Sequence, residues 1–265
     1  MSGDTFGRLD DFDRVDESEH TQGLIAFLAW ADAKPDVMAR RRRSYELLGV
    51  RPGARVVDVG CGIGTVLADL LELGAEPVGI DVSDAMVQEA ARRVVDAELH
   101  VADAAALSLE DASVDGYRAE RVYQHLADPA AALAEAMRVL RPGGRIVLVD
   151  QDYDALLVDG DDRELTRRML HGFADSIPNG WAGRRHQAAL LAAGFADVDV
   201  EAETVTRIDY EYLAPALPAV RAAAVDAGGV DEEAADAWLE EQRRRAEEGR
   251  FFAAMTHFLA SARKP

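Results

Sequence analysis

Cysteine is nearly absent from this chain of 265 residues, which contains Cys61 alone. A single cysteine excludes an intramolecular disulfide and a zinc site built from several thiolates. The six histidines are scattered along the sequence, and none has a second histidine or a cysteine at metal-ligand spacing. We therefore expect no metal centre, because the ligand clusters that hold transition metals are missing.

Long apolar runs and positive charge are also scarce. Residues 23–30 form the longest apolar candidate, far short of the roughly 20 residues that a membrane span needs. Residues 1–4 lack the basic start of a signal peptide, so we expect a cytoplasmic protein with no membrane partner. The formal net charge is −20. We expect no nucleic-acid partner, despite the basic run at 40–43, because such partners need a basic surface.

Strand-like and helix-like segments alternate between residues 51 and 150. Short β-rich runs occur at 55–59, 77–80, 98–101, 114–118 and 145–149, with amphipathic helical segments between most of them. This pitch predicts a Rossmann-like, doubly wound α/β sheet with parallel strands and helices on both faces. Such sheets bind ligands outside the carboxyl ends of their strands.

The pattern changes after residue 150. We predict helices at 163–177, 183–193, 210–227 and 231–248, and strands at 198–205 and 251–262. These segments predict one domain with four parts. They are an N-terminal helical cap (1–50), a Rossmann-like core (51–206), a helical lid inserted over the substrate (207–249) and a last core strand (250–265).

The most informative stretch is VVDVGCGIG at 56–64. Its glycines, Gly60, Gly62 and Gly64, allow the backbone to turn tightly and to approach a ligand without Cβ clashes. Asp81 follows Gly60 by 21 positions, at the tip of the second predicted strand. An acidic residue there can bind both hydroxyls of a ribose. A nicotinamide-binding turn looks similar, so this pattern alone leaves the cofactor open.

Five segments, in this order, resemble the core of class I S-adenosylmethionine-dependent methyltransferases. They are VVDVGCGIG (56–64), GIDVSDAMV (79–87), ADA (102–104), SVDGYRAERVYQHLADP (113–129) and RVLRPGGRIVLVD (138–150). The resemblance is to the small-molecule branch similar to the methyltransferases of ubiquinone and menaquinone biosynthesis. It implies S-adenosylmethionine as the cofactor, and a mainly parallel sheet of seven strands with an antiparallel last strand.

The resemblance also implies which residues hold the cofactor. They are Asp58, Gly60, Cys61, Gly62, Gly64, Asp81, Val82, Met86, Ala102, Asp103, Ala104, Glu120 and Arg121. The glycine turn would pass the methionine and ribose portions, with Asp58 oriented towards the amino group. Asp81 would hold the ribose hydroxyls, and Val82 and Met86 would flank the adenine.

Two further positions complete the implied cofactor site. Asp103 would accept a hydrogen bond from the adenine amino group, and Ala104 would offer its backbone amide. Glu120 and Arg121, just past the fourth predicted strand, would line the methionine end. A loop-capping role for Asp103 is the alternative, because aspartate commonly caps turns.

Methyl transfer from a sulfonium is an in-line displacement, so alignment of the acceptor is the main task, supplying about 7–11 kcal/mol. A general base is needed only if the acceptor loses a proton. His125, in the segment YQH, is the candidate base, and a structural histidine is the alternative. Candidate acceptor-binding residues are Tyr123, Gln124, Tyr153 and Trp181.

The predicted function is methyl transfer to O, N or C of a small organic molecule, such as a secondary metabolite or a quinone-like ring. Two alternatives remain open at this stage. One is a cofactor-binding homologue that does not methylate and works like a cyclase. The other, less favoured, is a nicotinamide-dependent oxidoreductase, although the chain has no Tyr-x-x-x-Lys pair. We expect the acidic stretch at 150–154 to be a solvated loop and not a metal site.

Overall fold

An eight-stranded sheet organises the computed structural model, which describes Asp16 and residues 21–207 and 209–265. The strands are β1 (Arg55–Val59), β2 (Glu76–Asp81), β3 (Glu98–Val101), β4 (Val114–Glu120), β5 (Leu140–Gln151), β6 (Leu157–Val158), β7 (Ala196–Arg207) and β8 (Ala253–Arg263). Their order is β3-β2-β1-β4-β5-β8-β6, and β7 also pairs with β8. Neighbouring strands from β3 to β5 are parallel, whereas β8 runs antiparallel to β5, β6 and β7. The predicted doubly wound sheet with an antiparallel last strand is confirmed.

The strand count differs from the prediction of seven because of β6. This strand has two residues, which pair with Ala253 and Ala254 at the start of β8. Two residues are too few to show the period-2 alternation from which a strand is predicted. By contrast, Ile146 to Val149 in β5 are all fully buried, as expected for a strand covered on both faces.

Ten helices accompany the sheet in the described part of the chain. They are α1 (Thr21–Asp32), α2 (Pro35–Leu48), α3 (Thr65–Glu72), α4 (Asp84–Arg93), α5 (Pro129–Val139), α6 (Arg163–Ser176), α7 (Ala182–Ala192), α8 (Tyr210–Leu213), α9 (Leu217–Asp226) and α10 (Glu232–Glu247). Ser83 and Asp128 cap α4 and α5 through their side chains. None of these helices is long and apolar enough to cross a membrane.

The single helix predicted at 210–227 is wrong, because the segment forms the two helices α8 and α9. Pro215 has no backbone N–H and so cannot continue the hydrogen-bond ladder of α8. Pro218 lies in the first turn of α9, where the missing N–H costs nothing. The two prolines therefore end one helix and start the next.

The helices after β5 form a second apolar core. Residues of α6, α9 and α10 pack around fully buried Trp238, whose indole nitrogen donates to Thr166 Oγ1 at 3.0 Å. Tyr153, in a 3₁₀ turn over Tyr153–Ala155, belongs to the same cluster. We call α6, α9 and α10 the helical unit. The predicted lid at 207–249 thus shares its core with α6, which precedes β7.

The N-terminal helices cover two parts of the sheet. Tyr45 and Leu48 of α2 pack against β5 and β8, and Leu24 and Ile25 of α1 pack on Ile63 after β1. The part of the predicted cap before residue 21 lies outside the described residues, apart from Asp16. The run at 40–43 is divided by the faces of α2, since its first two arginines are buried and its last two are exposed.

Candidate active site

The glycine turn after β1 has the backbone conformation that its sequence predicts. Gly60, Gly62 and Gly64 have φ values of 71°, 51° and 81°, in the left-handed region that favours glycine. A Cβ added to Gly60 would lie 2.3 Å from Val122 Cγ2. The turn therefore passes directly beside the loop that follows β4, and only glycine leaves room for that approach.

This contact predicts the effect of a side chain at Gly60. Gly60→Ala should lower the free energy of unfolding by about 1–3 kcal/mol through overpacking against Val122. The second substitution Val122→Ala should recover part of that loss, because it removes the clashing methyl group. Unfolding in urea measures both effects.

Gly62→Ala is the matched control, since Gly62 is also left-handed but no atom lies within 4 Å of the added Cβ. It should show only the backbone strain, about 1–2 kcal/mol. A double variant no more stable than Gly60→Ala would show that Val122 is not the cause.

Asp81, the last residue of β2, connects the glycine turn to the segment that follows β2. Its Oδ2 accepts a hydrogen bond from the Gly62 amide at 2.8 Å, and its Oδ1 accepts one from the Ser83 amide at 3.0 Å. Burial raises the pKa of its carboxyl group. Cys61, between the glycines, is also buried, and burial raises the pKa of its thiol well above the ordinary value. Asp81 therefore lies at the sheet edge where the ribose is predicted.

The two predicted adenine residues follow Asp81 in the sequence and differ in exposure. Met86 is buried against Ile63 beneath α1, whereas the Val82 side chain is exposed. Asp16 accepts hydrogen bonds from Ser83 Oγ at 2.6 Å and from the Ala85 amide at 3.1 Å, so the N-terminal segment contacts this loop.

The segment after β3 follows the alternative described above for Asp103. Its Oδ1 accepts a hydrogen bond from the Ala105 amide at 2.7 Å, as a loop-capping aspartate does. Ala102 donates its amide to the Asp81 carbonyl at 3.0 Å, and Ala104 is buried. A contact of Asp103 with adenine stays a prediction.

Asp58 takes part in an ion pair that the sequence did not predict. Its Oδ1 lies 2.9 Å from Arg118 Nη1, and the two side chains are only 3% and 2% exposed. Arg118 also donates to Glu120 and, at 2.8 Å, to Ser44 Oγ of α2. Asp58 thus pairs with Arg118, while its predicted contact with the cofactor amino group stays a prediction.

The pKa values of the two carboxyl groups in this ion-pair cluster are shifted in opposite directions. Burial raises the pKa of Asp58 to about 6, and Arg118 opposes that shift. Burial also acts to raise the pKa of Glu120, but Arg118, Arg121 and Arg40 lower it to about 2. Glu120 therefore remains a carboxylate beside the predicted methionine end of the cofactor.

Arg121 occupies a strained position at the end of β4. Its φ is 58°, which is unusual for a residue with a side chain. Its guanidinium lies 3.4 Å from Asp32 Oδ1, and Asp32 Oδ2 accepts a hydrogen bond from Thr65 Oγ1 at 2.7 Å. Asp32 at the end of α1 therefore ties the glycine turn to Arg121. No local motif marks either Asp32 or Thr65, so the sequence does not indicate this link.

The loop after β4 brings three predicted acceptor-side residues together. The side-chain amide nitrogen of Gln124 lies 2.9 Å from His125 Nε2 and donates to the Tyr153 hydroxyl at 3.1 Å. The backbone amide of Gln124 contacts Asp150 Oδ1 at 3.4 Å, and Asp150 Oδ2 lies 2.9 Å from His186 Nε2. The His125 amide donates to the Val122 carbonyl at 2.9 Å, so the cluster follows Val122 by one turn. Val122 is the residue that lies beside Gly60.

The other two predicted acceptor residues are placed differently. The Tyr123 hydroxyl lies 3.2 Å from that of Tyr117, and both rings belong to the main apolar core. Trp181 is 43% exposed and donates its indole N–H to Asp154 Oδ2 at 2.6 Å. Asn179, which no sequence pattern indicated, donates its backbone amide to the Gln124 carbonyl at 2.9 Å and so supports the loop.

The expectation of a solvated acidic loop at 150–154 is wrong for its first and third residues. Asp150 is 0% exposed and Asp152 is 2% exposed. Asp150 pairs with His186, and Asp152 pairs with Arg184. The strand β5 continues to Gln151, so the acidic stretch starts inside the sheet, where side chains are covered. No group of potential metal ligands occurs among the described residues.

Comparison with known proteins agrees with this geometry. Residues 57–148 match the model of a methyltransferase domain. Over 94% of its length, the chain is 39% identical to an uncharacterised 37.1 kDa protein in a transposon of Streptomyces fradiae, of which it covers 77%. It is 30% identical to a ubiquinone biosynthesis O-methyltransferase of Xanthomonas oryzae, over 60% of this chain and 67% of that protein.

A solved structure shows the same fold with ligands bound. Phosphoethanolamine N-methyltransferase 2 of Haemonchus contortus, in complex with phosphomonomethylethanolamine and S-adenosylhomocysteine, superposes with a TM-score of 0.61 and 19% identity. The match covers 96% of this chain and 59% of that one.

The match to a methyltransferase domain and the similarity to a ubiquinone biosynthesis O-methyltransferase assign the chain to the S-adenosylmethionine-dependent methyltransferases. The chain belongs to the class I methyltransferases, in the branch related to quinone biosynthesis, and its cofactor is S-adenosylmethionine. The glycine turn fits that cofactor, because an added Cβ at Gly62 would meet no atom of the described residues within 4 Å, so open space lies beside the backbone there.

Proposed function

We propose that this enzyme transfers a methyl group to a small organic molecule held above the ends of β4 and β5. One observation carries the proposal. The glycine turn touches Val122, and the cluster of Gln124, His125 and Tyr153 begins at that same loop. The predicted cofactor residues and the predicted acceptor residues therefore meet at one edge of the sheet, where doubly wound folds bind ligands.

In this proposal the bound cofactor supplies an activated methyl group on a sulfonium. The chain contributes positioning, which is the larger part of catalysis in such a displacement. Asp81 binds the ribose hydroxyls, and the glycine turn leads to the methionine end beside Glu120. His125 accepts a proton from acceptors that must lose one, such as phenols. The helical unit and α8 cover the acceptor as a lid.

The activity is tested by acceptor-dependent release of S-adenosylhomocysteine. The enzyme and S-adenosylmethionine are incubated with a panel of phenols, amines and carbon acids, and the product is quantified by mass spectrometry. We expect release with at least one class and none without an acceptor. Cofactor binding without release from any class would favour the alternative of a non-methylating, cyclase-like homologue. Binding of NAD in place of the adenosyl ligands would favour an oxidoreductase.

Asp81→Ala tests the cofactor-binding residues. The substitution removes a charged acceptor from two ribose hydroxyls, and charge-assisted hydrogen bonds contribute roughly 1.5–3 kcal/mol. The Kd of S-adenosylhomocysteine, measured by calorimetry, should therefore rise by one to two decades. Asp231→Ala, which removes the capping carboxylate of α10, is the control and should leave the Kd unchanged. An unchanged Kd in Asp81→Ala would show that Asp81 is not the ribose ligand.

A further inference from the structure

Six buried side-chain atoms have no hydrogen-bond partner in the described part of the protein. They are Gln124 Oε1, Gln151 Oε1, His257 Nδ1, Gln242 Oε1, Gln242 Nε2 and Arg245 Nε. Buried polar groups are nearly always paired, so each exception needs an explanation. Gln242 and Arg245 lie on α10 in the helical unit, whereas the other three lie at the edge of the sheet where the cofactor and acceptor residues meet.

Gln151 and His257 form a facing pair within this set. They are directly opposite each other in the antiparallel ladder of β5 and β8. Side chains of such a pair lie on the same face, with Cβ atoms about 4.5–5.5 Å apart. His257 is 7% exposed. The pair lies on the α2 face, since Val149 and Leu259, two positions away on the same strands, pack against Tyr45.

The arginines around this pair are already matched by carboxylates. Arg40 lies 2.8 Å from Glu203, which faces His257 from β7, and 3.4 Å from Glu120. Arg121 is paired with Asp32, and Arg207 with Asp36 at 2.6 Å. Nearby cations are thus neutralised, and an anionic ligand would find no unmatched partner among them.

His257 itself is a neutral group. Burial and the nearby Arg40 lower the pKa of its imidazole to about 3. At physiological pH it can therefore accept a hydrogen bond through one ring nitrogen. Gln151 Oε1 is an acceptor in every state. The pair consequently holds two covered acceptor atoms, and a ligand that reaches and satisfies both must supply donors.

We propose that Gln151 and His257 recognise the methyl acceptor, and that this acceptor is a neutral molecule whose hydroxyl groups donate hydrogen bonds to Gln151 Oε1 and His257 Nδ1. The inference rests on the proposed function, because it deepens the description of the same acceptor site. A site built to pair a hydroxyl group rejects analogues that lack it, since its own polar atoms are then left unpaired. The two residues therefore determine specificity and do not take part in the chemical step.

The test compares two probes of similar size, of which only one carries O–H donors. Catechol and 1,2-difluorobenzene are titrated by calorimetry into the enzyme saturated with S-adenosylhomocysteine. Catechol should bind at least tenfold more tightly, about the effect of one net hydrogen bond. Equal affinity for the two probes, or no binding of catechol, would overturn the inference, as would tighter binding of phosphoethanolamine, a charged probe. This comparison uses the wild-type enzyme and does not depend on the folding of a variant.

Two variants assign the effect to the pair. Gln151→Met and His257→Phe should each weaken catechol binding about tenfold, while the Kd of S-adenosylhomocysteine changes less than twofold. Gln187→Met is the control, because Gln187 is exposed on α7 and belongs to neither predicted site, and it should leave both affinities unchanged. Unchanged catechol binding in both pair variants would contradict the inference alone. A wild-type enzyme that binds no S-adenosylhomocysteine would instead contradict the cofactor site on which the proposed function rests.

Discussion

Arg118→Met should lower the free energy of unfolding by about 3–5 kcal/mol, because removing one partner of a buried ion pair leaves an uncompensated charge. Asp58 loses its ion-pair partner here, and among the described residues Glu120 keeps only Arg40, at 3.4 Å. Methionine keeps much of the side-chain volume, so the loss reports charge more than packing. Unfolding in urea at pH 7.5 measures the difference.

The same variant should have a different dependence of stability on pH. Loss of Arg118 raises the pKa of both carboxyl groups in the folded state, because Arg118 acts to lower each of them. A folded-state pKa above the unfolded value gives stability that is present at low pH and lost as the pH rises through the folded value. As the pH rises from 5 to 8, the free energy of unfolding of Arg118→Met should therefore fall by more than that of the wild type.

Arg43→Met is the matched control, since Arg43 also forms an ion pair, with Glu201 at 2.5 Å, but is exposed. Exposed pairs contribute about 0–1 kcal/mol. If the two variants lose equal stability, or if the pH profile of Arg118→Met parallels that of the wild type, then the buried cluster does not stabilise the fold as described.

The features predicted correctly from the sequence are those encoded over short distances. The tight turn with glycines at 60, 62 and 64 depends on a few neighbouring residues. The parallel sheet followed from alternation at a regular pitch. Each of these features has a local physical cause, which is why one sequence is enough to indicate it.

The ion-pair cluster could not be predicted in this way. Arg118 and Asp58 are 60 positions apart and meet because their strands lie in parallel register. Gln151 faces His257 only because β8 inserts next to β5. Residue type alone favours surface positions for arginine and aspartate, since both are rarely buried without a partner. Strand order, which the sequence does not state, decides which charges are neutralised.

The acidic stretch after β5 was misjudged for a related reason. A run of alternate aspartates is typical of a solvated loop, and nothing near it in the sequence supplies partners. His186 and Arg184 come from α7, more than 30 positions later, and bury the first and third carboxylates. These pairs place β5 and α7 so that Asp150 contacts the backbone of Gln124. Asp150 therefore helps to hold the loop that carries Gln124 in the candidate active site.

His125→Ala should lower kcat by about 10²–10⁴ if the acceptor loses a proton during transfer, with little change in cofactor affinity. The identified acceptor from the release assay is used as the substrate. In the structure the Gln124 amide nitrogen lies 2.9 Å from His125 Nε2. The acceptor hydroxyl must therefore displace the amide to reach this nitrogen. His171→Ala, an exposed histidine of α6, is the matched control and should leave kcat unchanged.

The pH profile separates a base from a residue that only positions the acceptor. Histidine is the side chain that normally titrates between pH 6 and 8, so a catalytic imidazole makes the wild-type rate fall at the acidic end of that range. His257 cannot produce this step, because burial and Arg40 hold its pKa at about 3. In His125→Ala the step should disappear. A loss of kcat under tenfold with an unshifted profile would instead assign His125 to the lining of the acceptor site, where alignment alone accounts for the rate.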